Sequence, residues 1–118
     1  MLKTFNEICE AAQLQIKCLD ARQAKILYDE YRSIGAHSII IDVRDLEQTG
    51  LKLTDAIHIS RGMLEYHIQK YTNHEQIFFT HCNHGARSSL AALSLQNMGY
   101  TNVYVIRDEI ANIIKEFG

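Results

Sequence analysis

The segment from Ser38 to Val43 reads Ser-Ile-Ile-Ile-Asp-Val, apolar and β-branched with no polar residue before Asp42 once it has begun. A strand with one wet face alternates polar and apolar residues. One that is apolar throughout must be covered on both faces, as in a parallel sheet with helices above and below. The periodicity on either side fits that environment. Further strands are predicted over Gln15 to Leu19, Ala56 to Ser60, Gln76 to Thr80 and Asn102 to Ile106. Helices are predicted over Thr4 to Ala12, Ala21 to about Ser33, Gly62 to about Lys70, Ala86 to Asn97 and Glu109 to Phe117. Thr4 and Glu7 have capping-box spacing, Asp20 can cap the second helix, and Gly35 and Gly99 end the second and fourth. Strands alternating with helices in this way predict an α/β fold, a mostly parallel five-stranded sheet with helices on both faces.

A chain of 118 residues with 47% hydrophobic content is expected to form a single domain, 1–118. Its net charge of -2 and the absence of a Lys/Arg run argue against nucleic-acid binding. The longest apolar runs are too short to span a bilayer, and acids stand in the first ten residues where a signal peptide would be apolar, so a soluble cytoplasmic protein is expected. The three cysteines, Cys9, Cys18 and Cys82, form no CxxC pair and no zinc-finger spacing, so neither a disulfide framework nor a metal site is indicated.

The fold class carries a functional expectation of its own, because open α/β sheets bind ligands outside the carboxyl ends of their strands. Those ends hold Asp42 and Arg44, Ser60 and Arg61, His81 and Cys82, and Arg107 and Asp108. Three arginines and a cysteine are thereby directed toward one rim, a candidate site for an anion and a nucleophile.

The segment His81-Cys82-Asn83-His84-Gly85-Ala86-Arg87-Ser88-Ser89 joins a predicted strand to a predicted helix, with Gly85 permitting a tight turn. A cysteine there faces the unpaired N–H groups of the helix that follows, which lower a thiol pKa from about 8.5 toward roughly 3.5–7.5. Arg87 adds a charge able to hold two oxygens of an oxyanion, and Ser88 and Ser89 can supply hydrogen bonds. A buried filler cysteine needs neither the glycine turn nor the arginine five residues on.

These residues carry a resemblance. Cys82-Asn83-His84-Gly85-Ala86-Arg87-Ser88 is similar to the active-site loop of the rhodanese family, Cys-x-x-Gly-x-Arg-Ser, and the likeness runs from about Ile39 to Arg107. Ile41-Asp42-Val43-Arg44 resembles the family's Asp-Val-Arg after an apolar strand. Asp55-Ala56-Ile57-His58-Ile59-Ser60 resembles its Gly-Ala-x-x-Ile-Pro, and Gly99-Tyr100-Thr101-Asn102-Val103-Tyr104 its Gly-Phe-x-x-Val. The resemblance implies a rhodanese-like three-layer fold and a thiosulfate sulfurtransferase cycle. In that cycle Cys82 takes the outer sulfur of a small anionic donor such as thiosulfate, becomes a persulfide, and passes the sulfur to cyanide, a thiol or an acceptor protein. Arg87 would orient the donor, and no metal or organic cofactor is needed. The chain departs from the family at Arg107-Asp108-Glu109, where a glycine pair is usual. Arg107 and Asp108 could narrow or recharge the rim, and the natural substrate is left open by the sequence.

Other residues have two readings each. Asp42 could orient Arg87 or the loop, or act as a cap; Arg44 could pair with Glu47 or Glu65. Arg61 could supply a second positive charge at the rim or face solvent, and His84 could tune Cys82 or face solvent, while His58 and His81 suit packing with one hydrogen bond. Two other functions compete: a sulfur-relay or non-catalytic module that docks a partner protein, and a small phosphatase or arsenate reductase. The latter resemble Cys-x5-Arg, whereas four residues, Asn83 to Ala86, separate Cys82 from Arg87 here.

Overall fold

The computed structural model describes residues 1–45 and 50–118. Five strands, β1 (Lys17–Leu19), β2 (Ser38–Asp42), β3 (Ala56–His58), β4 (Ile77–His81) and β5 (Asn102–Ile106), form one sheet in the order β1-β5-β4-β2-β3. All neighbours pair in parallel. Five helices accompany them: α1 (Phe5–Gln13), α2 (Ala21–Ser33), α3 (Leu64–Ile68), α4 (Ala86–Asn97) and α5 (Ile110–Phe117).

The β-branched run lies where its composition requires. Strand β2 sits between β4 and β3, and its register with β4 runs from Ser38 opposite Ile77 to Asp42 opposite His81. Successive side chains point to opposite faces, so Ile39, Ile41 and Val43 join Phe78, Val103 and Val105 in one core with Leu64, Ala91 and Leu95 of the helices α3 and α4. Ile40 joins Phe79, Tyr104 and Ile106 in the other, with Ala21, Ala24 and Ile113 of α2 and α5. The edge strands β1 and β3 are three residues long and largely unburied.

Both predicted caps form. Thr4 and Glu7 exchange hydrogen bonds at 3.1 Å each way, and Asp20 does the same with Gln23 at the start of α2. The expected helix from Gly62 to Lys70 divides into a 3-10 turn, Arg61–Met63, and the short α3. No side chain caps either piece, so nothing at Ser60 or Met63 holds a longer α-helical start. Among the described residues no helix is long and apolar enough to cross a membrane.

Candidate active site

Cys82 follows the last residue of β4, and three residues later Gly85 caps α4 with φ of 104°. That left-handed conformation turns the chain so that backbone N–H groups face back toward the sulfur. The N–H of Gly85 donates to Cys82 Sγ at 3.2 Å and that of Ser88 at 3.5 Å, with the Ser88 hydroxyl 3.4 Å from the same atom. A side chain at position 85 would also meet Arg107, because a Cβ there would lie 2.8 Å from Arg107 Cγ. Conformation and close packing both require the glycine.

Burial alone would raise the Cys82 pKa. The Ser88 hydroxyl and the N–H groups of Ser88, His84 and Gly85 outweigh it, and the thiol is held below its ordinary value. The other two cysteines move the opposite way. Burial raises Cys9, with the negative charge of Cys82 adding to it, and burial raises Cys18 with Arg107 partly offsetting it. The loop thus distinguishes one thiol from the rest.

Cys82 is only 3% exposed and forms the floor of a cavity of about 270 Å³. Asn83, His84, Ala86 and Arg87 line it from the loop and the first turn of α4, and Phe5 closes it from α1. Arg87 donates an Nη hydrogen to Asp45 at 3.0 Å across the mouth. Ser88 and Ser89 are fully buried: Thr80 donates to the Ser88 carbonyl at 2.9 Å, Ser89 donates to the Gly85 carbonyl, and Gln13 of α1 donates to Ser89 Oγ at 3.2 Å.

The remaining expected residues are distributed differently from the expectation of a three-arginine rim. Arg44 is 1% exposed and points into the protein, where its Nε and Nη2 donate to the Asp42 carboxylate at 2.8 to 3.1 Å. Asp42 is therefore the acid that holds Arg44; Glu65 instead binds Arg61 at 2.8 Å and Ser94, and Glu47 lies outside the described residues. Arg44 Nη1 reaches Asn83 Oδ1 at 3.3 Å, so the buried pair of Asp42 and Arg44 anchors the loop from beneath. Burial alone would raise the Asp42 carboxyl, but hydrogen bonds from Arg44 hold it below its ordinary value.

His84 Nδ1 lies 2.7 Å from Glu109 at the start of α5, and the N–H of Ile110 donates to the Asn83 carbonyl at 3.0 Å. Asp108 accepts from the N–H of Ala21 and of Glu109 and from Asn112, which makes it a joint between α2 and α5 rather than a charge at the mouth. His58 bonds the Arg44 carbonyl, while His81 is fully buried with Nε2 unpartnered. Phe5 and Asp45 join the site without any mark in the sequence. Their contacts with the loop span long stretches of chain, and no local pattern signals them.

A parallel α/β sheet with an N–H-cradled cysteine at the carboxyl end of a central strand defines a class of proteins that stabilise anionic sulfur or oxygen at a helix start. The match is to the family described as Rhodanese-like domain, over residues 17–116, and the chain belongs to it. No curated protein sequence matches significantly. Among solved structures, one from Rhodopseudomonas palustris, a protein of unknown function described as a possible tyrosine phosphatase, is 26% identical with TM-score 0.79, covering 100% of this chain and 94% of that one. A polysulfide-sulfur transferase homodimer from Wolinella succinogenes is 25% identical with TM-score 0.73, covering 95% and 82%. A rhodanese with anions from E. coli is 28% identical with TM-score 0.55, covering 62% and 88%.

Proposed function

We propose that this protein is a sulfurtransferase that moves sulfane sulfur from a small anionic donor such as thiosulfate to a thiophilic acceptor, cyanide or a thiol, through a persulfide on Cys82. The observation that carries the reading is the Sγ of Cys82 held by the N–H groups of Gly85 and Ser88 and by the Ser88 hydroxyl, in a loop that Arg87 closes. The thiolate attacks the outer sulfur of thiosulfate, the S–S bond to the sulfonate sulfur breaks, and sulfite leaves with the electron pair. The persulfide that remains on Cys82 is anionic and rests on the same donors. An acceptor then attacks its terminal sulfur and returns the Cys82 thiolate.

Arg87 lines the cavity and can hold the donor's oxygens while the leaving sulfite gains charge. Asn83, His84 and Ala86 supply the walls, and Ser88 the hydroxyl beneath the sulfur. Asp42 acts at one remove, through Arg44 and Asn83. Arg61 is assigned to Glu65 and to the packing of α3 on α4, so no substrate contact is proposed for it.

Steady-state formation of thiocyanate from thiosulfate and cyanide tests the reading. Cys82→Ser is expected to abolish turnover, and Arg87→Ala to lower kcat by about 10²–10³, the usual loss for one donor to a developing anion. Hydrolysis of an aryl phosphate that needs Cys82, with no sulfur transfer, would overturn it in favour of a phosphatase.

A further inference from the structure

Near neutral pH an alkyl thiol is mostly protonated, and its thiolate is the form that attacks sulfur. The groups around Cys82 Sγ, two N–H groups and the Ser88 hydroxyl, suit the electron pair that a persulfide gives up on transfer. None of them is a base for the proton of an incoming thiol.

His84 stands two residues after Cys82 and lines the same cavity. Its Nδ1 lies 2.7 Å from Glu109 Oε2. The backbone sets that pairing: the N–H of Ile110 donates to the Asn83 carbonyl at 3.0 Å, which lays the start of α5 beside the loop and brings together the neighbouring residues Glu109 and His84. A carboxylate only accepts, so the Nδ1 hydrogen of a neutral His84 goes to Glu109 and the lone pair is left on Nε2. Nε2 takes part in none of the hydrogen bonds among the described residues. An imidazole oriented through one nitrogen, with the other left over, is the arrangement of a general base. Glu109 belongs to the Arg107-Asp108-Glu109 segment, where this chain departs from the usual glycine pair. The cavity of about 270 Å³ over a Cys82 that is 3% exposed suits a small acceptor.

Resting on the persulfide reading, we propose that His84, positioned by Glu109, is the base that deprotonates the acceptor, and that the acceptor is a small alkyl thiol. Nε2 takes the S–H proton, the acceptor sulfur bonds to the terminal sulfur of the persulfide, and the S–S bond to Cys82 breaks with its electron pair left on Sγ. The imidazolium then gives the proton to the transferred sulfur. The products are R–S–S–H and the Cys82 thiolate, and no oxidant or reductant is consumed.

The test loads Cys82 with thiosulfate, removes the excess donor, and follows loss of the added sulfur by intact mass. β-Mercaptoethanol is the alkyl thiol, and thiophenol, largely ionised at neutral pH without a base, is the control acceptor. His84→Ala is expected to slow discharge to β-mercaptoethanol by about 10², the ordinary share of a general base, and discharge to thiophenol by much less. Free imidazole should restore part of the β-mercaptoethanol rate in that variant. In Glu109→Gln the new amide can donate to Nδ1 and leave the hydrogen on Nε2, so the same selective loss is expected at about tenfold. Both side chains are mostly exposed, and a surface pair contributes little to stability, so both variants should fold. Equal slowing with the two thiols, or none with either, would overturn the assignment and leave the Cys82 persulfide standing. A folded wild type that takes up no sulfur would overturn both.

Discussion

Cys82 differs from Cys9 and Cys18 in what touches its sulfur, and that difference can be measured without any substrate. Its thiol lies below the ordinary value while theirs lie above. With iodoacetamide near neutral pH, Cys82 is expected to react first even though Cys18 is the more exposed residue, and the midpoint of its rate profile should fall below that of an ordinary free thiol. Ser88→Ala removes the hydroxyl 3.4 Å from Sγ and should move the midpoint up. A midpoint at or above the ordinary value would mean that burial outweighs the donors. Gly85→Ala forces a side chain into a left-handed φ and against Arg107, and should cost about 1–3 kcal/mol in denaturant unfolding. The cysteine, the glycine and Arg87 are legible in the sequence because their spacing is local. The partner of Asp42 is not, since a residue two positions on, Arg44, folds back on it inside the protein where a rim position is expected.

At the scale of elements, the Cys82 loop is held from three sides: the Asp42–Arg44 pair from β2, the start of α5 through Ile110 and Glu109, and α1 through Gln13 and Ser89. Asp42→Asn leaves the Arg44 guanidinium buried without its counter-charge, and should destabilise the fold by about 3–5 kcal/mol. The sign with pH follows from the lowered carboxyl. Asp42 contributes stability above the unfolded value of about 3.9, and this is lost as pH falls through the lower folded value. Acid unfolding of the wild type should therefore flatten in the Asn variant. Helix α1 is readable from its capping box, but its use as a wall is not, because Phe5 meets Cys82 only through the packing of α1 on α4. Phe5 lies outside residues 17–116, the region matched to the family. Phe5→Ala is expected to change KM for the sulfur acceptor more than stability, since the ring is half exposed.

Across the whole molecule, the three apolar strands at the centre of the sheet carry the fold, and their unbroken runs make the layer order readable from the sequence. The strand order β1-β5-β4-β2-β3 is not readable there, because sequence alternation sets the class of sheet and tertiary packing sets the neighbours. Packing around β4 also buries His81 in the sheet, and burial, partly offset by Asp42, lowers its pKa. That group stabilises the fold above the unfolded value of about 6.5, and its contribution is lost as pH falls below that value toward the folded one. Denaturant unfolding between neutral and mildly acid pH should show this loss, and His81→Phe should remove it. A persulfide on Cys82 is detected by intact-protein mass spectrometry after incubation with thiosulfate. A gain of one sulfur atom in the wild type, absent in Cys82→Ser and reduced in Arg87→Ala, is the expected result. A folded protein with a free Cys82 thiol and no adduct from thiosulfate or polysulfide would contradict it.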